Sequence, residues 1–427
     1  MIQEASPRRA VSPSVHKNVT CPFCGLLCDD LTVRNDQGQL QVIQNACHKA
    51  VDGFERPALQ SSPRIDGDPV AFHDAIARAA SLLAKAKQPL FGGLATDVAG
   101  MRAVMALAER TAGIVDHMHG DGMMRNYLTL QEQGWITTTL TEIKNRADLI
   151  VFVGTDASDY PRFFERCVWT KRSMFGLKPT DREIVYIGSR LDAKAGVSPS
   201  GREPQMIPCE MARVGEVISA IRAILDGVRL TRMAIAGVKK TLLEKLAARM
   251  REAKYGVIVW EPAKLDFPHA ELAVQVLCEL IGTLNKSTRF GGFPLGGNDG
   301  SIGAANACAW LSGYPLRIGF VRGYPEYDPA RHRSEALLSS GNADALVWIS
   351  TISGQQPPLS DVPTIVLGAR TRLKRTPKVF FPVGTPGLDH PGQLFRCDGV
   401  ISLRARQVRS SDLPSVAEAL YAIRDAL

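Results

Sequence analysis

The sequence lacks any apolar run approaching the roughly 20 residues that cross a bilayer, and its first 19 residues are polar. Such a start has no hydrophobic segment typical of a signal peptide, so it predicts a cytoplasmic protein with no membrane partner. The chain is poor in aromatic residues, at 7%, and its net charge of +8 comes from dispersed Lys and Arg. The densest basic stretch, from Arg370 to Lys378, carries no recognition motif. This pattern predicts no nucleic-acid partner.

The chain also has too few cysteines for a disulfide scaffold, nine among 427 residues. Five of them stand alone, mostly in apolar segments, which predicts small buried side chains: Cys167, Cys209, Cys278, Cys308 and Cys397. Hydrophobic residues make up 45% and charged residues 22%, as in an ordinary globular protein. The length allows about two to four domains.

The other four cysteines are concentrated near the start of the chain, at Cys21, Cys24, Cys28 and Cys47. Thiolates are soft ligands that suit iron–sulfur clusters or zinc. Structural zinc sites commonly pair two short Cys-x-x-Cys knuckles, and here the second knuckle is missing. The spacing therefore favours a [4Fe–4S] cluster over zinc, and cysteines that hold no metal are the remaining alternative.

Apolar runs alternate with amphipathic segments from about residue 69 onward. The runs predict strands at 89–94, 113–116, 147–154, 183–188, 256–260, 345–349, 363–367 and 379–383. Helices are predicted between them, including 214–225 and 230–253. Buried strands separated by helices indicate an α/β fold with parallel sheets, in which ligands bind at the carboxyl ends of the strands. We expect a flexible arm (1–19) and a cysteine-bearing domain within 1–65, α/β domains over 66–330, and a C-terminal α/β domain over 331–427.

The quartet spacing, Cys-x2-Cys-x3-Cys with a distant fourth Cys, resembles the cluster domain of molybdopterin oxidoreductases. More narrowly, CPFCGLLCDDL resembles the start of the B subunit of formylmethanofuran dehydrogenase. The likeness continues in order through 128–134, 142–153, 216–227, 296–314 and 385–400. It implies a molybdopterin-oxidoreductase-like body of several parallel-sheet α/β domains, a small cysteine-bearing domain, and no C-terminal β-barrel domain.

The sequence departs from this family where the catalytic cofactor would bind. In the family, a Cys or selenocysteine ligand of tungsten or molybdenum precedes the Leu-Gln-Glu segment at a fixed distance, which places it at or next to Gly122. Asp156 lies in a loop that should read Gly-x-Asn-Pro, Gly188-Ser189-Arg190 replaces Asp-x-Arg, and Ser350 begins a segment that should read Gly-x-Asp-Pro. Each change removes a polar group that would contact the pterin. We therefore expect no molybdopterin or tungsten and no catalytic residue in this chain.

One branch of the family fits these losses. The resemblance is to the formyltransferase/hydrolase complex of aerobic methylotrophic bacteria, which passes a formyl group from tetrahydromethanopterin to a methanofuran analogue and hydrolyses it to formate. Its partners would be an amidohydrolase-like hydrolase subunit, a formyltransferase subunit and a C-type subunit, and the complex would hold the methanofuran analogue. The resemblance implies that this chain is a scaffold. Arg370, Arg372 and Arg375 are hypothesised to attract the acidic tail of that cofactor.

Other interpretations stay open. An active tungsten or molybdenum dehydrogenase would need an unusual ligand such as Asp121. A metal-dependent hydrolase would use His117 and His119, which share a face if they lie on a strand and could hold a zinc-activated water. The sequence has no Gly-x-Ser-x-Gly elbow, and its glycine-rich segment 291–303 lacks the Gly-Lys-Ser/Thr ending of a phosphate loop. Lys49, two residues after the fourth cysteine, could lie between the cluster and the pterin, but a surface position is expected.

Overall fold

The computed structural model describes residues 13–427, and two parallel or mostly parallel sheets dominate it. The strands are β1 (Ser14–Val19), β2 (Leu31–Asp36), β3 (Gln39–Gln44), β4 (Arg64–Ile65), β5 (Asp68–Pro69), β6 (Pro89–Ala95), β7 (Ile114–Val115), β8 (Leu149–Val153), β9 (Glu183–Gly188), β10 (Gln205–Pro208), β11 (Ala234–Ile235), β12 (Val238–Lys239), β13 (Gly256–Trp260), β14 (Phe290–Pro294), β15 (Ile318–Gly319), β16 (Glu326–Tyr327), β17 (Ala345–Ser350), β18 (Thr364–Gly368), β19 (Val379–Pro382), β20 (Gly392–Phe395) and β21 (Ser402–Ala405). The helices are α1 (His48–Phe54), α2 (Phe72–Lys85), α3 (Val98–Arg110), α4 (Gly120–Gln133), α5 (Leu140–Arg146), α6 (Val214–Leu225), α7 (Lys240–Glu252), α8 (Ala270–Leu284), α9 (Ser301–Ser312), α10 (Ser334–Ser339) and α11 (Val416–Asp425).

The larger sheet has nine strands in the order β16-β15-β7-β6-β17-β18-β19-β4-β5. Its five central strands are parallel, and the strands at both edges are antiparallel. Helices α2, α3 and α11 bury one face, on which Phe91, Val347 and Ile365 lie. The predicted division at residues 330 and 331 stays a prediction, and strands from both sides of that boundary pair in this sheet.

The smaller sheet has five parallel strands in the order β10-β9-β8-β13-β14. Helices α6, α7 and α8 cover one face. The other face packs against α5, a π-helix at Phe164–Val168 and the cysteine-bearing segment near the start of the chain. Because continuous apolar strands are buried on both faces, the sheet matches the α/β pattern that the sequence predicted.

The carboxyl ends of the two sheets lie against each other. Gly300 follows β14 and Thr96 follows β6, and a Cβ added at Gly300 would lie 2.5 Å from the Thr96 carbonyl oxygen. In parallel sheets this edge is where ligands bind. The loops after β6, β8, β9, β13, β14 and β17 therefore meet in one region of the molecule.

Two local predictions were wrong. Residues 14–19 of the expected flexible arm form β1, which pairs antiparallel with β2; residues 1–12 of that arm lie outside the described part of the chain. The helix expected over 230–253 begins only at Lys240, because β11 and β12 form a tight hairpin before it. Ala236 and Gly237 turn that hairpin with positive φ angles of 49° and 80°, a conformation that a helix excludes.

No helix in the stretch from residue 13 to residue 427 combines the length and apolar character needed to span a bilayer.

Candidate functional site

The cysteine quartet forms one cluster. Cys21, Cys24 and Cys28 are buried in the turn between β1 and β2, and Cys47 precedes α1 and is half-buried. The Cys21 amide donates to the Cys28 carbonyl at 2.8 Å, and the Leu27 amide donates to the Cys24 carbonyl at 3.1 Å. These bonds close the turn, so three thiols from eight consecutive residues come beside the fourth.

Burial raises the pKa of the Cys21 thiol well above its ordinary value, and the neighbouring Cys24, Cys28 and Cys47 raise it further. Burial likewise raises the pKa of Cys28 to about 12. Burial keeps these thiols protonated, whereas a metal binds the thiolate form. Thiolates would therefore be stable here only with a metal centre that compensates their charge. Among the described residues, no three His, Cys, Asp or Glu side chains converge on a point where one metal ion could be held.

Charged side chains of both signs lie beside the quartet. Arg166 and Lys49 both act to lower the pKa of Cys24, against the larger effect of burial. Lys49 is partly exposed, and its ammonium group donates to the Asp159 carbonyl at 2.7 Å. Four soft donors beside cations suit an anionic iron–sulfur cluster. The donor types present therefore fit that group, although their side chains do not converge on one point among the described residues.

Two further cysteines lie beside the quartet. Cys167 and Cys397 are buried as predicted, and Cys397 is close enough for both Cys167 and Cys24 to raise its pKa, after burial and Asp398. The Cys397 amide donates to the Gly25 carbonyl at 2.7 Å. No sequence spacing indicates this neighbourhood, because only the folding of the β20–β21 hairpin brings residue 397 to the quartet.

Backbone atoms crowd the position at which the resemblance places a metal ligand. Gly122 is buried in the first turn of α4, and a Cβ added there would lie 3.1 Å from both the Cα and the amide nitrogen of Ala263. That separation is tighter than ordinary van der Waals contact. Gly122 thus offers neither a donor atom nor ready space for one.

The chain's own side chains cover the ends of β8 and β9. A Cβ at Gly154 would lie 2.7 Å from Leu265 and 2.9 Å from Met211, and one at Gly188 would lie 3.2 Å from the Met211 sulfur. Asp156 joins the loops that follow these strands, since its carboxylate accepts from the amides of Ser158 and Asp192, both at 2.9 Å. The predicted cofactor loops therefore contact each other.

The end of β17 is closed in a similar way. Arg56 donates to the carbonyl oxygens of Thr351 and Ile352 at 3.2 and 3.0 Å, and Thr351 donates to the Ala95 carbonyl at 2.7 Å. Ser350 is buried, and its hydroxyl has no hydrogen-bond partner among the described residues.

The Asp121 carboxylate is hydrogen-bonded to two arginines. Its carboxylate accepts from Arg333 at 2.9 and 3.1 Å and also from Arg317. Burial acts to raise the pKa of Asp121, but the bonds from Arg333 and Arg317 bring it below the ordinary range. The carboxylate is anionic and is held by two guanidinium groups at the edge of an open cleft.

The two histidines lie in the turn before α4, not on a strand as the hydrolase hypothesis required. The His119 amide donates to His117 Nδ1 at 3.0 Å, and His117 Nε2 lies 3.3 Å from the Asp299 carbonyl oxygen. His119 Nε2 lies 3.0 Å from the Asp299 carboxylate. Burial lowers the pKa of His117 to about 3, so this imidazole is neutral. Both imidazole rings therefore connect the turn before α4 to the segment that contains Asp299.

Sequence reasoning missed Glu261, a buried carboxyl group immediately after β13. Burial raises its pKa to about 7, and the neighbouring Asp159 raises it further. The Thr155 hydroxyl donates to Glu261 at 3.0 Å, while Lys264 pairs with Asp159 at 2.7 Å. An acidic residue directly after an apolar strand was the signal that could have found it.

A cleft of about 1180 Å³ lies on the other face of the nine-stranded sheet, along β17. Trp348 forms part of its floor, and Arg333, Glu335 and Asp344 stand on its walls. The quartet and Gly122 do not line this cleft.

No family model matches the chain. It is 27% identical over 410 residues to the B subunit of the tungsten-containing formylmethanofuran dehydrogenase 2 of Methanocaldococcus jannaschii, a match that covers 91% of this chain and 93% of the relative. It is 29% identical over 335 residues to the B subunit of the formyltransferase/hydrolase complex Fhc of Methylorubrum extorquens, covering 75% and 84%. This chain is a homologue of those B subunits.

The comparison with solved structures agrees with the comparison of sequences. A chain of the formyltransferase/hydrolase complex FhcABCD from Methylorubrum extorquens, crystallised with methylofuran, superposes with a TM-score of 0.74 at 26% identity, covering 85% of this chain and 98% of that one. Acetylene hydratase from Pelobacter acetylenicus superposes with a TM-score of 0.59 at 10% identity, covering 96% and 69%, which is a likeness of fold alone. The resemblance inferred from the sequence is confirmed, as is the α/β class with parallel sheets.

Proposed function

We propose that this chain is the B subunit of a formyltransferase/hydrolase-type complex and serves there as a non-catalytic scaffold. The complex would act in the tetrahydromethanopterin-linked oxidation of formaldehyde to formate, in the cytoplasm. Its hydrolase, formyltransferase and C-type subunits would carry the chemistry and hold the furan cofactor. The cysteine-bearing segment would be the remnant of a cluster domain on a body without a C-terminal barrel.

The packing of Gly122 carries this proposal. The resemblance places a thiolate or selenolate ligand at or next to this residue, and the chain has a glycine whose Cα faces the Ala263 backbone at close range. Any side chain there needs a backbone shift of a few tenths of an ångström. A centre that requires a soft ligand has no such donor at this position.

The loop contacts support the same conclusion. A pterin at the ends of β8 and β9 would have to displace Leu265, which is fully buried, and Met211. Exposing a buried side chain of this size costs about 1.5–3 kcal/mol. Bonds within the chain already satisfy Asp156, so the loop offers few free polar groups to offset that cost.

We further propose that Cys21, Cys24, Cys28 and Cys47 hold a [4Fe–4S] cluster. Such a group can carry one electron. In this chain the four thiols connect the β1–β2 turn to the start of α1, so their role would be to fasten the first described elements to the smaller sheet.

The runner-up function is an active tungsten or molybdenum dehydrogenase. The tungsten-containing B subunits among the relatives favour it. It would require Asp121 as the ligand, and this carboxylate would have to leave both Arg317 and Arg333. Removing one partner of such paired charges is costly, which disfavours this function.

The test compares two activities of the purified complex. We expect formyl transfer and hydrolysis, and no formate-dependent reduction of a redox dye. Dye reduction that the substitution Asp121→Asn abolishes would establish the runner-up function instead.

A further inference from the structure

Helix α9 has an unusual composition for a helix that reaches the surface. None of its 12 residues is charged, and most are apolar or small. One side packs against α3, where Ala304, Ala307 and Cys308 are buried in the core. A helix that is apolar on all sides is normally covered on all sides. The last turn of α9 instead exposes Trp310 and Leu311, by 62% and 53%.

The segment that follows α9 continues this exposed apolar surface. Tyr314 lies just after the helix, and its ring stacks on Tyr327 with the ring centroids 5.4 Å apart. Val321 and Tyr324 lie in the loop that joins β15 to β16, the strand to which Tyr327 belongs. Tyr314, Val321 and Tyr324 are all exposed. The stacked pair of tyrosines therefore connects the end of α9 to this loop.

The β20–β21 hairpin also borders the end of α9. Phe395 of β20 packs edge to face with Trp310, with the ring centroids 5.5 Å apart. The Arg396 amide donates to the Ile401 carbonyl at 2.9 Å, which closes the turn that exposes Val400. We define the α9 patch as the six exposed side chains of this region: Trp310, Leu311, Tyr314, Val321, Tyr324 and Val400.

The α9 patch is large for a surface that stays in contact with water. From the exposed fractions of its six residues, it presents on the order of 600 Å². The largest apolar patch on a typical monomer is roughly 300–600 Å², and one side of a standard protein interface is about 800 Å². Aromatic residues, which make up half of this patch, are enriched in protein interfaces. The patch therefore has the size and composition of a protein contact.

The charges beside the patch are paired within the chain. Arg322, next to Val321, lies 3.4 Å from Glu326, and Arg331 lies 3.6 Å from Asp328. The surface here is therefore close to neutral, although the whole chain carries a net charge of +8. Nucleic acids and acidic cofactor tails are attracted mainly by excess positive charge. An apolar, weakly charged protein surface is the partner that fits.

We propose that the α9 patch binds a different subunit of the complex in which this chain serves, with Trp310 seated in an apolar pocket of that subunit. The inference rests on the proposed function, because a scaffold must hold other subunits. The structural relative is a chain of the FhcABCD complex, which favours a different subunit over a second copy of this chain. Large aromatic side chains dominate the binding energy of such contacts.

The first test uses the intact complex. The photo-crosslinking residue p-benzoylphenylalanine replaces Tyr314, at 40% exposure the least exposed member of the patch, and in a control protein it replaces Met233. Met233 is 75% exposed and lies before β11, outside the patch. After irradiation, mass spectrometry identifies the linked peptide. We expect position 314 to link to a peptide of another subunit, and position 233 not to link to that peptide.

The second test measures how much of that subunit remains with the affinity-tagged chain. We expect Trp310→Ala combined with Tyr324→Ala to lower its retention about tenfold or more, as the loss of central aromatic residues commonly does. Met233→Ala is the control and should retain the subunit as the wild type does. Thermal unfolding shows which variants fold, and Leu311→Gln provides the test if the double variant does not.

The inference would be overturned if position 314 linked to no other subunit, or only to a second copy of this chain. Wild-type retention of the linked subunit by the folded patch variants would also overturn it. A wild-type chain that co-purifies with no other subunit would instead overturn the proposed function. The two failures are therefore distinguishable.

Discussion

At the scale of single residues, the space around Gly122 can be tested by filling it. Gly122→Cys restores the donor type expected in the family, but its Cβ would meet the Ala263 backbone at 3.1 Å. Overpacking of this kind costs about 1–3 kcal/mol. We expect the free energy of unfolding of the variant, measured by denaturant titration, to be lower by that amount. The variant should gain no dye-reducing activity.

The matched control for this variant is Gly282→Ala on α8. Gly282 is also helical, but a Cβ added there meets nothing within 4 Å. Replacing glycine in an exposed helix should stabilise the protein by about 0.5–1 kcal/mol. If Gly122→Cys were as stable as the wild type in the same denaturant series, the position would have room for a ligand.

Glu261 predicts a pH dependence of stability. Its pKa rises on folding from the ordinary 4.5 to about 7, mainly through burial. Because the folded state binds the proton more tightly, this group makes the free energy of unfolding fall as pH rises from about 4.5 to 7, and the loss persists above that. Asp159, Thr155 and Lys264 face the same group and stay in place in Glu261→Gln.

We therefore expect Glu261→Gln to be more stable than the wild type at pH 8, on the order of 1–3 kcal/mol, and equal to it near pH 4. Urea unfolding across this pH range measures the difference. Glu335→Gln, at an exposed carboxylate, is the control. If the free energies of unfolding of Glu261→Gln and the wild type changed with pH in parallel, Glu261 would not be buried as a neutral acid.

At the scale of elements, the quartet is predicted to stabilise the attachment of the first strands to helix α1. Cys47→Ser removes the one thiol that comes from a different turn, so β1, β2 and α1 should lose their common attachment. We expect faster amide hydrogen exchange over residues 14–54, with β13 and β17 unaffected. Cys278→Ser, at a buried cysteine of α8 far along the chain, is the control and should leave that segment protected. Equal amide hydrogen exchange over residues 14–54 in the wild type and in Cys47→Ser would mean that the quartet does not stabilise this segment.

Some elements could be predicted from sequence, and others could not. The strands β9 and β13 and the helix α6 match the predicted ranges, because apolar runs and helical spacing are local signals. Helix α4 has no such signal. It begins with Gly120, Asp121 and Gly122, and its place is fixed by packing against α8 and Ala263.

The candidate site shows the same limit. The quartet was found because its members share a spacing, and Gly122 because it replaces an expected ligand. Glu261, Arg166 and Cys397 come from distant parts of the chain, and only the fold brings them to the quartet or the loops beside it. Their contacts depend on tertiary approach, which no short motif encodes.

At the scale of the whole molecule, the excess of basic residues suggests where an acidic cofactor tail would bind. Arg375 already pairs with Asp361 at 3.0 Å, whereas Arg370 and Arg372 are exposed. We expect Arg370→Glu with Arg372→Glu to reduce retention of the furan cofactor several-fold at low salt, and less at high salt because of screening. Cofactor co-purifying with the complex is measured by mass spectrometry. Arg213→Glu is the control, and unchanged retention at low salt would refute this hypothesis.

We propose that this homologue of a redox subunit has lost its catalytic metal. Elemental and pterin analysis of the intact complex, purified without oxygen from its native host, tests it most directly. We expect iron at about four per chain, with tungsten, molybdenum and pterin far below one per chain. Stoichiometric tungsten or molybdenum together with pterin would contradict it.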